Sequence, residues 1–151
     1  MLAQTTDEIK EMLSKYRFFG ECIIEEFRWT NFGTSLVVVF NYIFDAQGRI
    51  RKNLSTPLLV AMQFDCMQRL YINNGIRDSL CQEIERINWG WAEVAGVDVD
   101  DHSPLLATYV GWTMRFHSVT FSWEGKTDHK IRVVFARMSI KPISVDEPEQ
   151  A

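Results

Sequence analysis

Residues 21–45 read ECIIEEFRWTNFGTSLVVVFNYIFD, and this stretch decides the fold. Apolar side chains alternate with their neighbours on both sides of a turn signal, Asn-Phe-Gly-Thr, at residues 31–34. Such a period of two is typical of β-strands, because successive side chains point to opposite faces of a sheet. Two runs joined by a short turn containing glycine predict a β-hairpin. The second run, 35–45, is apolar on both faces at its start, so we expect it to be covered on both sides.

The same alternation recurs along the rest of the chain. It predicts further strands at 58–72, 87–99, 110–123 and 131–140. Two segments, VAMQFDCM at 60–67 and IRVVFARM at 131–138, break phase in the same way after a phenylalanine. A β-bulge inside a long strand produces such a break. This shared pattern is compatible with two copies of a three-stranded meander, over residues 20–73 and 87–143. It is also compatible with one set of long antiparallel strands.

Two segments have helical rather than strand periodicity. Thr5 and Glu8 form a capping-box pattern before a helix at 6–16, and Ser79 and Gln82 form a second one before a helix at 79–87. The predicted fold class is therefore α+β and mainly β. It consists of an antiparallel sheet or a two-layer sandwich of six or more long, bulged strands with two short helices. Residues 1–143 are expected to form one globular domain, followed by a disordered acidic tail at 144–151.

Composition and charge exclude several classes of protein. Hydrophobic residues make up 46% of the 151 residues and charged residues 24%, which is typical of a globular chain rather than a disordered one. The formal charge is −4, and three of the acids lie in the tail. The remaining body is nearly neutral, whereas a protein that binds nucleic acid through phosphates usually has a basic surface. No apolar run is long enough to span a bilayer, so no membrane partner is expected.

Cysteines and motifs give no sign of a redox or cofactor site. The chain has three cysteines, Cys22, Cys66 and Cys81, and no C-x-x-C pair. An odd number of scattered cysteines favours a reducing cytoplasm. The sequence contains no phosphate-binding loop, dinucleotide fingerprint, nucleophile elbow or zinc-protease motif. We therefore predict no cofactor and a non-enzymatic, cytoplasmic protein.

One polar group could hold a metal. On an extended strand Asp98, Asp100 and His102 would point to the same side, and carboxylates with an imidazole can ligate a cation. The competing interpretation is that these are solvated residues where a strand runs into a loop. His117 offers a similar choice, since it could pair with Asp128 for acid–base chemistry or be a polar residue at a bulge.

Trp89 and Trp91 project from the same face of a predicted strand, with only Gly90 between them. They fill the core beneath the helix at 79–87, or they form an aromatic platform for a partner. No lysine or arginine occurs between Arg86 and Arg115, so this stretch is locally acidic. Aromatic anchors with a charged rim are typical of binding surfaces. The predicted partner-binding residues are Trp89, Trp91, Glu93, Asp98, Asp100 and Asp101.

The chain resembles the small immunity proteins of contact-dependent and polymorphic bacterial toxin systems. The resemblance lies in FDCMQRLYI at 64–72, in the strand at 89–99 and in the hairpin at 121–140, and it is one of pattern. It implies a non-enzymatic fold that occludes a cognate toxin. Two alternatives stay open. One is a protein that binds a small ligand or metal in a pocket near Trp89, Trp91 and residues 98–102. The other is a structural or assembly subunit, for which a homodimer is possible.

Overall fold

The computed structural model describes residues 2–45, 47–52, 57–72, 94–123 and 126–143, with only the backbone at 126–129. The described chain forms one α-helix and nine strands. They are β1 (Leu2–Ala3), α1 (Thr6–Lys15), β2 (Ile23–Thr30), β3 (Ser35–Asn41), β4 (Leu59–Asp65), β5 (Arg69–Ile72), β6 (Val94–Val99), β7 (His117–Trp123), β8 (Lys126–Phe135) and β9 (Arg137–Pro142). The prediction of a mainly β, α+β fold is confirmed. The predicted helix at 79–87 and the tail at 144–151 lie outside the described residues.

The described strands form two antiparallel sheets. The first has the strand order β1-β9-β4-β3-β2, and the second has the order β5-β8-β7-β6. The predicted hairpin is β2–β3, in which Thr30 pairs with Ser35. The pairing of β6 with β7 shifts register between Val94 and Gly96. No such shift occurs at the predicted bulge near His117, and the shift in β7 lies between Ser122 and Trp123 instead.

The two phase breaks are corners between sheets, and the prediction of bulges within single strands is wrong here. β4 ends in the first sheet at Asp65 and the chain continues as β5 in the second, while β8 leads in the reverse direction into β9. Cys66 turns the corner with φ +54, and the Asp65 carbonyl accepts a hydrogen bond from the Ala136 amide at 3.1 Å. Strands that change sheet through such bends join the layers of a sandwich.

The connectivity of the two halves is the same. β2-β3-β4 and β6-β7-β8 are each a three-stranded meander, and the strand that follows each meander joins the other sheet. β4 pairs with β9 and β5 pairs with β8, so the two bent strands run side by side through both sheets. The shared sequence pattern of 60–67 and 131–138 therefore lies at equivalent places in the topology, where the third strand of each meander ends and the chain passes to the other sheet.

Aromatic rings from both sheets fill the space between the layers. Phe121 of β7 has its ring centroid 6.2 Å from that of Phe40 on β3 and 6.1 Å from that of Phe64 on β4. All three side chains are fully buried. The other face of β3 is also buried, as its double-sided apolar pattern predicted.

Helix α1 closes one side of this core. The Thr5 hydroxyl caps it by accepting a hydrogen bond from the Glu8 amide at 3.2 Å, as the capping-box pattern predicted. Its buried residues, Ile9, Met12 and Leu13, recur at helical spacing and join the main core cluster. The helix thereby fixes the N-terminal segment against the sheets.

Candidate functional site

The connection between β6 and β7, residues 100–116, is the longest one whose residues the structure describes throughout. Loops longer than about 12–15 residues are uncommon in compact domains, and most are either functional or linker segments. It begins where the Asp100 amide donates to the Ser118 carbonyl at 2.8 Å, one step beyond the strand pairing. Ser103 then caps a 3-10 helix, Pro104–Tyr109, by accepting from the Leu105 amide at 3.3 Å. The chain is thus held at its start by specific polar contacts.

The inner side of this connection is packed on the second sheet. Phe116, Val134 and Ala136 form a buried cluster, against which Leu105, Leu106 and Tyr109 pack. The ring centroids of Tyr109 and Phe116 lie 4.8 Å apart. Apolar contacts to the sheet therefore hold the connection in place.

The outer side of the same connection carries large apolar side chains that face solvent. Val110 is 84% exposed, Trp112 is 56% exposed and Met114 is 47% exposed. The Trp112 indole packs edge-on against Tyr109 and Phe116, with centroid distances of 5.3 and 5.8 Å. A cleft of about 510 Å³ opens beside them. Exposed apolar side chains that lie close together on a fixed support mark an interaction site.

The strand predicted through 110–116 is wrong. Gly111 has φ +89, a left-handed conformation that breaks a strand and that glycine adopts without strain. β7 begins only at His117, so Val110, Trp112 and Met114 do not line one face of a sheet. The alternation of these three apolar residues in the sequence predicted a strand, but they lie in the connection that precedes β7.

Three acids of the predicted partner-binding set lie in the described part of the chain: Asp98, Asp100 and Asp101. Two of them, Asp98 and Asp100, form no ion pair with another described residue. Asp98 is exposed on β6, opposite Thr120, and Asp100 follows the strand. Asp101 instead accepts a hydrogen bond from the Lys10 ammonium at 2.7 Å, and this contact raises the pKa of Lys10. Asp98 and Asp100 thus contribute negative charge at the base of the connection, while Asp101 ties it to α1.

The structure does not bring the predicted metal ligands to one side of a strand. β6 ends at Val99, so Asp98 lies on the strand, whereas Asp100 and His102 follow it in the turn. Among the described residues, no three His, Cys, Asp or Glu side chains converge as a metal site would require. Trp89, Trp91 and Glu93 lie outside the described part of the chain.

His117 is buried at the end of the connection and ties it to the N-terminal segment. Its Nε2 lies 2.9 Å from the Gln4 carbonyl, which can only accept, so this nitrogen carries the proton. The Nδ1 lies 3.4 Å from the Thr6 hydroxyl, which then acts as the donor. Burial is the main cause that lowers the pKa of His117; Arg115 acts in the same direction, while Gln4 and Asp101 oppose it.

Stability should fall below pH 6.5 because of this histidine. The pKa of His117 is lower in the folded state than its ordinary value of 6.5, so the unfolded chain takes up a proton at a higher pH than the folded chain does. The contribution of His117 is therefore fully present above that pH and is lost as the pH falls. Urea titrations at pH 7.5 and 5.5 should show a smaller loss for His117→Gln than for the wild type. Parallel losses in the two proteins would contradict this assignment.

The two described cysteines are free thiols. Burial raises the pKa of the Cys22 thiol to about 11, which keeps it protonated and unreactive at neutral pH. The Cys66 sulfur lies at the corner, where an Arg137 Nη2 donates to it at 3.2 Å. The Cys22 thiol therefore acts as a small apolar side chain in the core.

Comparison of the chain with protein-family models, with curated proteins and with solved structures finds no match. The described helices include none with the length and apolarity needed to cross a membrane. The fold and the site define a two-sheet antiparallel β protein with an apolar, aromatic connection exposed at one end of its second sheet.

Proposed function

We propose that this chain is a non-enzymatic protein-binding module whose contact surface is the β6–β7 connection. The observation that carries the proposal is the exposure of Val110, Trp112 and Met114 on a support of buried and half-buried rings. Tryptophan and methionine are enriched at protein interfaces, and tryptophan is frequent among the residues that dominate binding energy. Because Tyr109 and Phe116 already hold the indole in place, binding costs little further ordering of the side chain.

The charge around this surface indicates the chemistry of the partner. The stretch from residue 87 to residue 114 contains acids and no lysine or arginine, and Asp98 and Asp100 lie at the base of the connection. A protein that places basic residues around an apolar pocket would complement this surface. Complementary charges raise the rate of encounter and disfavour acidic competitors.

In its more specific form the proposal is that the partner is a toxin and that the chain neutralises it by occlusion in the cytoplasm. The resemblance to immunity proteins supports this form. The free thiols of Cys22 and Cys66 are compatible with a reducing compartment. The mechanism is then steric: the Trp112 surface covers a basic, apolar region of the toxin and displaces its target.

The test compares two matched tryptophan variants. Trp112 and Trp29 are both about half exposed, but Trp29 lies on β2 of the first sheet. Tagged wild-type protein should capture a single stoichiometric partner from native lysate, Trp112→Ala should lose it and Trp29→Ala should keep it. Expression of the captured partner alone should arrest growth, and co-expression of the wild type but not of Trp112→Ala should restore it.

Several outcomes would overturn the proposal. Retention of the partner by Trp112→Ala together with its loss by Trp29→Ala would place the binding surface on β2. Capture of a partner that is harmless when expressed alone would remove the toxin form and leave the binding module. A dimer detected by light scattering that Trp112→Ala dissociates would identify a second copy of the chain as the occupant, as expected for an assembly subunit.

A further inference from the structure

A second cleft lies away from the Trp112 surface. It is an open cleft of about 660 Å³ between the end of α1 and the chain that follows β3, and none of its lining residues belongs to the β6–β7 connection. Clefts that bind small molecules have volumes of this order, roughly 300–1,000 Å³. Its principal side chains are Tyr16, Arg17, Tyr42, Phe44 and Leu58.

Arg17 is an exposed residue that lines this cleft, and its guanidinium contacts an aromatic ring. The guanidinium lies over the Phe44 ring, 5.4 Å from the centroid. Gly48 lies next to the guanidinium, and a Cβ atom at this position would overlap the end of the Arg17 side chain and displace it. Gly48 has φ +78, and its amide donates to the Asp45 carbonyl at 2.9 Å in the turn that forms this cradle. The guanidinium of Arg17 therefore lies close to both an aromatic ring and a residue without a side chain.

The backbone that presents Arg17 is strained. Arg17, Phe18 and Phe19 have φ values of +53, +52 and +54, which form a left-handed turn. Each such residue costs roughly 1–2 kcal/mol. Burial of Phe19, whose ring stacks on Phe40 at 4.2 Å, holds the turn in this conformation. Strain that the surroundings maintain in this way is concentrated at binding sites.

Charge in the cleft favours one negative group on the ligand. Lys15 is paired with Glu11 at 3.7 Å, and Asp45 is paired with Arg49 at 3.4 Å. Two backbone amides also donate to the Asp45 carboxylate and hold its pKa below the usual value. No carboxylate of the described residues lies within ion-pair distance of Arg17. The cleft thus has one positive charge without an opposite charge.

Part of the remaining wall is aromatic and apolar. Tyr42 contacts Tyr16 and Phe44 edge-on, with both centroid distances at 5.6 Å. Burial is the main cause that raises the pKa of Tyr42, so its hydroxyl stays neutral. Leu58 and Val60 extend the apolar lining. A ligand with a ring or an aliphatic body would find apolar contacts next to the guanidinium.

We propose that this cleft binds a small organic monoanion, a carboxylate attached to an aromatic body. The planar guanidinium of Arg17 presents paired N–H donors that match the two oxygens of a carboxylate. Tyr16, Tyr42 and Phe44 contact the aromatic body. The inference is independent of the protein-binding proposal, because the two sites share no residue.

The experiment uses phenylacetate, its neutral isostere phenylacetamide, and inorganic phosphate, each titrated into the full chain and followed by two-dimensional amide NMR. Phenylacetate should shift amides around Arg17 and Gly48 in a saturable way. Phenylacetamide and phosphate should bind at least about tenfold more weakly, since a hydrogen bond to a charged group contributes about 1.5–3 kcal/mol. Equal binding of the acid and the amide, tighter binding of phosphate, or no saturable shift at Arg17 would overturn the proposal.

Variants locate the binding. Arg17→Gln should weaken phenylacetate at least about tenfold, to the level of the amide. Arg69→Gln is the matched control, because Arg69 is an exposed arginine on β5 of the second sheet, and it should leave the affinity unchanged. Should Arg17→Gln fail to fold, Phe44→Leu removes the ring beneath the guanidinium and should also weaken binding. Undiminished affinity in a folded Arg17→Gln or Phe44→Leu protein would contradict the site.

Discussion

Replacement of Phe121 by alanine should lower the free energy of unfolding by about 3–5 kcal/mol, as truncation of a buried phenylalanine typically does. Phe121 is fully buried on β7 and its ring lies 6.0–6.2 Å from those of Phe27, Phe40 and Phe64 on three strands of the first sheet. Its loss leaves a cavity between the two sheets. Because a small domain has only about 5–15 kcal/mol of stability in total, the variant should be close to unfolding at 37 °C.

Phe32→Ala is the control for this experiment. Phe32 lies at the tip of the β2–β3 hairpin and is fully exposed, so the same truncation there should change the stability by less than about 0.5 kcal/mol. Urea unfolding followed by tryptophan fluorescence measures both. If Phe121→Ala costs no more than Phe32→Ala, Phe121 does not fill the space between the sheets and the packing described above is wrong.

Replacement of Trp112 by alanine should weaken partner binding by about 2–4 kcal/mol, which corresponds to at least about 30-fold in Kd. Most of the loss should appear in the dissociation rate, because the variant removes a short-range contact rather than long-range attraction. Stability should change little, because the indole is 56% exposed. Calorimetry or surface plasmon resonance with the captured partner gives the affinity, and Trp29→Ala should match the wild type. An unchanged Kd for Trp112→Ala would remove this residue from the interface.

Asp98 and Asp100, at the base of the connection, should affect the association rate rather than the dissociation rate. The double variant Asp98→Asn and Asp100→Asn should slow association and flatten its dependence on salt, while dissociation changes little. Asp101 is left in place because its contact with Lys10 ties the connection to α1. An association rate that rises in the double variant would indicate an acidic partner instead of a basic one.

The alternating pattern predicted the hairpin and most strands because it depends on neighbours along the chain. The phase breaks after Phe64 and Phe135 were visible in the sequence, but a bulge and a corner give the same pattern. What separates them is the partner of the following strand: β5 pairs with β8, and β9 pairs with β4. Those pairings join residues roughly 60–80 positions apart, and local periodicity carries no information about contacts at that range.

The proposed binding surface could be predicted only in part from the sequence. The absence of basic residues from 87 to 114 points to the segment that contains the exposed connection, and Asp98 and Asp100 lie at its base. The alternation of Val110, Trp112 and Met114 predicts a strand. Gly111 is the local signal against a strand, because its left-handed conformation interrupts one. The Arg17 cleft had no sequence signature, since it depends on a left-handed turn and on a glycine about thirty residues further along the chain.

Hydrogen–deuterium exchange of the free chain and of its complex with the captured partner tests the central claim most directly. Binding should slow exchange at residues 104–116 and leave the amides around Arg17 and Gly48, and those of the β2–β3 hairpin tip, unchanged. Unaltered exchange at 104–116, with protection at the hairpin tip or around Arg17, would contradict the assignment of the β6–β7 connection as the binding surface.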